Sequence, residues 1–304
     1  MSLHIQYRPD TLEEIVGNKS TVKALTAILE RDREDIPHTF LFHGASGCGK
    51  TTFARIIANH LGCTGADFVE INAGNNRGIE TARTILKTIN YKPLSRGVKV
   101  ILLDEVHATT KDFQNALIKP LEDTPEHVYF ILCTTNPSKL LKTVINRCTS
   151  FEVKKLSVTL LSELIEGVLN EEDKEVEEEM IELMATKADG CPRQVLVLLD
   201  QVIDLKPKEQ KRAVQAFVTE EEKIIDLCRL LLNKNSKWDK VAKILKGLKE
   251  DPEGIRWALL TYMNKVLLDK ENTQASIVIS YFEEPFFNSG NAGLTLACLK
   301  CLEK

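Results

Sequence analysis

A parallel α/β domain followed by two all-helical segments is the fold this sequence predicts, and three observations predict it. Short apolar runs alternate with helix-period stretches up to about residue 153. A glycine-rich loop, Gly44-Ala45-Ser46-Gly47-Cys48-Gly49-Lys50-Thr51, joins one apolar run to a helical pattern. From about Lys155 onward the periodicity is helical throughout.

The elements follow in order. Tyr7-Arg8-Pro9-Asp10-Thr11-Leu12 and Ile15-Val16-Gly17-Asn18 read as a structured arm or as the adenine-side wall of a nucleotide pocket, and the motifs downstream favour the wall. A helix is predicted over 20–31, with Val22, Leu25, Ile28 and Leu29 on its apolar face. Thr39-Phe40-Leu41-Phe42 is a strand, and 52–61 after the glycine loop has helical spacing. Phe68-Val69-Glu70-Ile71-Asn72 is a second strand. It leads through the polar loop Ala73-Gly74-Asn75-Asn76-Arg77-Gly78 to a helix over 79–89 that carries Arg83 and Lys87. Pro93-Leu94-Ser95-Arg96-Gly97 turns the chain into the buried-strand pattern Val98-Lys99-Val100-Ile101-Leu102-Leu103. Thr109-Thr110-Lys111-Asp112 caps a helix through Phe113, Ala116, Leu117 and Leu121. Val128-Tyr129-Phe130-Ile131-Leu132-Cys133 is the next strand, ending in Thr134-Thr135-Asn136-Pro137, and Phe151-Glu152-Val153 is the last. Strands alternating with helices imply a parallel sheet covered on both faces, with ligands beyond the carboxyl ends of the strands.

In the helical part, 156–170 is one helix and the acidic stretch 171–179 reads as a solvated loop and helix start. Another helix begins at Gly190-Cys191-Pro192-Arg193, with Val195, Leu198, Leu199 and Val202 apolar, and Lys206-Pro207-Lys208 marks a break. A third segment from Glu220 is helical over 224–232, 238–248, 255–268, 277–282 and 294–302. The expected domains are therefore 1–154, 155–219 and 220–304.

The glycine loop fits G-x-x-x-x-G-K-[ST], whose backbone N–H groups and following helix N-terminus cradle phosphates. Lys50 would reach the β- and γ-phosphates, and the Thr51 hydroxyl would ligate Mg²⁺. Asp104-Glu105-Val106-His107 ends a buried strand about fifty residues on. Alone, such a pair is as much a solvated turn as a site. Behind a phosphate loop it reads as the Walker B arrangement, with Asp104 holding the Mg²⁺ shell and Glu105 orienting or deprotonating the attacking water.

Bulk properties set bounds. The 304 residues suffice for two or three domains, and 43% hydrophobic with 28% charged residues is ordinary globular composition. The net charge of −4 means that any nucleic-acid contact comes from a local patch. No apolar run approaches a membrane span, and no signal-peptide pattern opens the chain. The eight cysteines are scattered and read as reduced thiols of a cytoplasmic protein; Cys298 and Cys301, a lone C-x-x-C, read as a buried helix face.

Together these motifs resemble the AAA+ ATPases of the clamp-loader group: bacterial DnaX-type subunits, small subunits of replication factor C and their phage counterparts. The resemblance covers residues 5–205. Tyr7-Arg8-Pro9 is similar to the family's N-terminal box, Asp104-Glu105-Val106-His107 to the bacterial Walker B, Thr135 to sensor 1, Asn146-Arg147-Cys148 to the Ser-Arg-Cys box, and Gly190-Cys191-Pro192-Arg193 to sensor 2. Asn146 stands where serine is usual, and Pro192 where a bulkier residue is usual. Cys63 stands alone where bacterial members carry a zinc-binding insertion. That absence and the short third segment favour a phage-type small subunit, which would work in the host cytoplasm.

The resemblance implies a P-loop AAA+ domain, a helical lid and a helical collar. It implies a subunit of an oligomeric, pentameric clamp loader that uses ATP and Mg²⁺ to open a sliding clamp and place it on primer–template DNA. The nucleotide residues would be Tyr7, Arg8, Pro9, Val16, Gly17, Gly44, Ala45, Ser46, Gly47, Cys48, Gly49, Lys50, Thr51, Thr52 and Arg193. Thr51 and Asp104 would hold the metal. Glu105, Thr135 and Arg193 would act on the γ-phosphate or its attacking water, and Arg147 would act in trans in a neighbour's site. Arg77, Gly78, Ile79, Arg83, Thr110 and Lys111 would follow the DNA backbone. The competing expectations are another AAA+ DNA-remodelling machine, such as a Holliday-junction motor or helicase loader, and a non-hydrolysing scaffold subunit.

Overall fold

The computed structural model describes residues 2–74, 76–94, 97–216, 220–248, 251–286 and 289–302. Asn75 of the polar loop, Ser95 and Arg96 of the turn, and Thr219 at the expected second boundary lie outside the described residues. The chain forms two compact units, Met1–Val214 and Gln215–Lys304.

The first unit runs α1 (Leu3–Gln6), α2 (Lys19–Leu29), β1 (Thr39–His43), α3 (Lys50–His60), β2 (Phe68–Asn72), α4 (Ile79–Ile89), β3 (Lys99–Asp104), α5 (Lys111–Glu122), β4 (Val128–Thr134), α6 (Lys142–Ile145) and β5 (Thr149–Glu152). It continues with α7 (Val158–Glu171), α8 (Glu178–Lys187), α9 (Pro192–Val202) and α10 (Pro207–Ala216), which reaches the boundary.

The five strands are all parallel, in the order β2-β3-β4-β1-β5. Side-chain alternation along the strands separates two cores. Phe40, Phe42, Val100, Leu102, Tyr129 and Ile131 face α2 and α3. Leu41, Ile101, Leu103, Phe130 and Leu132 face α4, α5 and α6. Both faces of the central strands are covered, which is why their sequences are continuously apolar while the edge strands β2 and β5 alternate. Each of these buried side chains contributes about 1.5–3 kcal/mol relative to exposure. The order also brings the tips of β1, β3 and β4 side by side.

Most predicted elements fall within a few residues of the observed ones, and two differ in kind. The break at Lys206-Pro207-Lys208 is where α10 starts: Pro207 takes the first helical position, where its missing N–H costs nothing. The opening residues form the one-turn helix α1, too short to leave a periodic signal. As expected, α5 includes Leu121: Pro120 lies inside the helix, which continues to Glu122.

The second unit packs α11 (Glu220–Leu232), α12 (Trp238–Gly247), α13 (Pro252–Asp269), α14 (Thr273–Phe282) and α15 (Gly290–Leu302) around one core. Cys298 and Cys301 lie in that core, as a buried helix face requires. A buried ion pair closes it. Arg256 Nε donates to Glu253 Oε2 at 2.9 Å, and its Nη1 donates to the carbonyls of Phe282 and Glu283 at 3.0 and 3.2 Å. The Phe286 N–H donates to Glu253 as well. Glu253→Ala leaves Arg256 buried without its counter-charge, so we expect this unit to lose about 3–5 kcal/mol of stability. Thermal or urea unfolding checks this, and an unchanged midpoint would contradict it.

Candidate nucleotide site

A cleft of about 660 Å³ opens in the first unit beyond the carboxyl ends of the strands, within the usual range for ligand sites. Its floor is the loop between β1 and α3. Two glycines have no substitute there. At Gly44 (φ +148°) a Cβ would lie 2.0 Å from the Val153 carbonyl oxygen. At Gly47 (φ +71°) it would lie 2.3 Å from Cys191 Sγ. The loop therefore fits directly under the start of α9. Gly47→Ala adds the left-handed penalty of about 1–2 kcal/mol and a clash, so nucleotide affinity should fall about tenfold or more. Cys191→Ala in the same protein should restore part of it. Titration with a fluorescent ATP analogue checks both; unchanged affinity in Gly47→Ala would contradict the contact.

Lys50, at the start of α3, is buried, and its ammonium donates to the Gly44 and Ala45 carbonyls at 2.9 Å each. Thr51 Oγ1 lies 3.2 Å from Asp104 Oδ2. Two hard oxygen donors so spaced suit Mg²⁺, whose adjacent ligands at about 2.1 Å from the ion sit about 3 Å apart.

Glu105 leaves the β3 line because its backbone is left-handed, φ 53° and ψ 40°, a conformation that costs a non-glycine residue energy and marks functional positions. Its Oε2 accepts from Thr135 Oγ1 at 3.3 Å and lies 3.1 Å from His107 Nδ1, which is also 3.1 Å from Thr134 Oγ1. The hydrogen bond from His107 is the largest influence on this carboxyl and holds it below the usual carboxylate range against the effect of burial.

The walls come from distant stretches. Tyr7, Arg8, Pro9, Val16, Ser46, Cys48, Gly49, Thr52 and Arg193 all line the cleft with Lys50, Thr51, Asp104 and Glu105. Gly17 lies behind the wall against Leu156. Asn18 clamps Lys154, donating to its carbonyl at 3.2 Å and accepting from its N–H at 2.8 Å. Burial first, then the neighbouring Arg55 and Arg193, pulls the Arg8 guanidinium below its ordinary value. A concentration of positive charge at a cleft suits a polyanion. Burial pushes the Cys48 and Cys191 thiols up, so they serve packing rather than reaction.

Three partners have no role assigned by the sequence. His107 was part of a motif without a role. Glu172, in the stretch read as a solvated acidic loop, accepts from Tyr7 Oη at 2.7 Å and Gln6 Nε2 at 2.8 Å. That bond pushes the Tyr7 phenol up to about 12. Gln114 is buried on α5 and accepts from the Leu141 N–H at 2.8 Å.

Arg147 is not among the residues lining the cleft. It lies just past α6, where Thr39 Oγ1 donates to its carbonyl, and its guanidinium pairs with Glu122 at 2.7 Å. Arg77, Gly78 and Ile79 lie at the N-terminus of α4, Thr110 and Lys111 at that of α5. The Thr110 N–H donates to the Arg77 carbonyl at 3.0 Å, which holds these two helix starts together. Arg83, one turn along α4, pairs with Glu80. Among the described residues, no helix is long and apolar enough to cross a membrane.

Comparison with known proteins fits this geometry. Residues 40–156 match the ATPase family associated with various cellular activities (AAA). The chain is 33% identical over 283 residues to DNA polymerase III subunit tau of Escherichia coli, covering 85% of this chain and 43% of that protein. It is 30% identical over 264 residues to DNA polymerase III subunit gamma of Buchnera aphidicola, covering 78% of this chain and 71% of that protein. The chain thus spans less than half the length of the tau relative. Among solved structures, the Thermotoga maritima RuvB Holliday junction branch migration motor superposes with a TM-score of 0.60 at 22% identity, over 80% of this chain and 86% of that one. At that identity the likeness is one of fold.

Proposed function

Because this chain belongs to the family of DNA polymerase III gamma and tau subunits, the bacterial DnaX-type clamp-loader ATPases, we propose that it is an ATP-hydrolysing subunit of a sliding-clamp loader. One observation carries this reading: Lys50, Thr51, Asp104 and Glu105 meet in one cleft, with Thr135 bonded to Glu105, while Arg147 stands outside it, partly buried and paired with Glu122. A subunit so built holds a triphosphate and presents a cation to a neighbour.

The roles follow from the positions. The phosphate loop and Lys50 would bind the β- and γ-phosphates; Thr51 and Asp104 would hold Mg²⁺, which would supply charge neutralisation at the phosphates. Glu105 orients the attacking water, and Thr135 fixes Glu105. Arg193 reaches the phosphates from α9, so helical closure follows nucleotide binding. In this reading residues 1–154 are the AAA+ domain, 155–219 its lid and 220–304 the collar that joins the subunits, five in the family's usual assembly. The paired starts of α4 and α5, with Arg77 and Lys111, follow the primer–template backbone without reading sequence. The cytoplasm is the expected compartment, and all eight cysteines are free. A phage-type origin rests on the missing zinc insertion; the relatives named above are bacterial.

The test is ATPase activity of the chain assembled with its partner subunits, with and without primed DNA and a sliding clamp. Stimulation by both is expected. Stimulation by branched DNA alone would favour a junction motor, and no turnover under any condition would favour a scaffold.

A further inference from the structure

We infer that Glu122 is a positioning residue for Arg147, setting the direction in which that guanidinium leaves the subunit; the inference rests on the reading of Arg147 as a cation supplied to a neighbour's nucleotide. Arg147 Nε and Nη2 both donate to one oxygen of Glu122, at 3.2 and 2.7 Å, and Nη1 donates to the Thr143 carbonyl at 3.0 Å. A guanidinium is planar, so acceptors at the Nε edge and at Nη1 define its plane. Each terminal nitrogen keeps a further N–H for an outside acceptor. That is the presentation a phosphate requires.

The backbone beneath is equally held. Thr39 bonds the Arg147 carbonyl to the start of β1, and Gln114 of α5 bonds the Leu141 N–H that opens α6. Glu122 and Arg147 are thus fixed to the same scaffold, α5 and β1, from opposite ends of the contact. Stability accounts for little of the pair. The Glu122 side chain is 58% exposed and that of Arg147 27%, and an ion pair with one partner largely in solvent contributes about 1 kcal/mol or less to folding. Orientation accounts for it better, because a long side chain displaced by about an ångström from a reacting group loses on the order of 10²-fold in rate.

The test uses the chain assembled with its partner subunits and measures kcat and KM for ATP together with the melting temperature. Glu122→Ala should lower kcat by about 10- to 100-fold with KM and melting temperature unchanged. Glu122→Gln keeps an oxygen acceptor at the same reach and should stay within a few-fold of wild type. On an Arg147→Ala background, Glu122→Ala should remove nothing more. Wild-type kcat in Glu122→Ala while Arg147→Ala is inactive would overturn the inference, as would a Gln variant as poor as Ala or a further fall on the Arg147→Ala background. Full-rate hydrolysis by Arg147→Ala would instead remove the reading of Arg147 itself.

Discussion

Arg147→Ala is expected to leave ATP binding within about twofold of wild type, while hydrolysis in the complete assembly falls by roughly 10³-fold or more, the scale of an arginine supplied in trans. The reason is positional. The cleft proposed for the triphosphate is lined from the N-terminal wall, the phosphate loop, β3 and the helices α7 and α9, and Arg147 is not among its lining residues. Its removal takes no contact from the nucleotide of its own subunit, so affinity is preserved. The transition state spreads charge over the transferred phosphoryl oxygens, and a cation reaching it from outside acts chiefly there. The measurement is a pair: nucleotide titration for binding, and steady-state turnover of the assembled complex with clamp and primed DNA. Matching turnover in wild type and variant would reject the role. A large loss of affinity would show instead that Arg147 serves its own site.

Glu105→Gln should be nearly as damaging to turnover and still kinder to binding. A loss of about 10²–10⁴-fold is expected, with ATP affinity retained or tightened because a negative charge near the γ-phosphate is gone. Of the two roles that the motif leaves open, orienting the water is the one expected in this reading. An efficient general base has a pKa near the working pH. Here the hydrogen bond from His107 holds the Glu105 carboxyl below the usual carboxylate range, even against partial burial. A carboxylate lowered in this way is a poor proton acceptor at neutral pH and a good fixed charge, which suits orienting a water. The sign for pH follows: the charged form persists above the lowered pKa and is lost only as pH falls through it. The acid limb of turnover assigned to this group should therefore lie below the ordinary glutamate range. His107→Ala should move that limb upward. A limb near neutrality in the wild type, or wild-type turnover in Glu105→Gln, would refute the assignment.

Much of the sheet was legible because its signals are local. β2 and α4 occupy the predicted spans, Phe68–Asn72 and Ile79–Ile89. Central strands buried on both faces must be continuously apolar, and a phosphate loop must place glycines where side chains would collide. Helix ends were less legible: α7 begins at Val158, after Ser157 caps it by accepting from the Leu160 N–H, rather than at the first apolar residue. α10 was missed because Pro207 reads equally as a break and as a first turn.

What the sequence determined by itself was the chemistry available: a phosphate loop, a carboxylate pair at a buried strand end, and arginines at fixed stations along an alternating α/β chain. Those are properties of short segments, written in neighbouring residues. Only the tertiary structure decided which groups meet. Glu172 reaches Tyr7 across 165 positions, Cys191 roofs Gly47, and Glu122 takes hold of Arg147 from the far end of α5. Such pairings depend on strand order and helix packing, which set distances between residues remote in the chain, and no local periodicity encodes them.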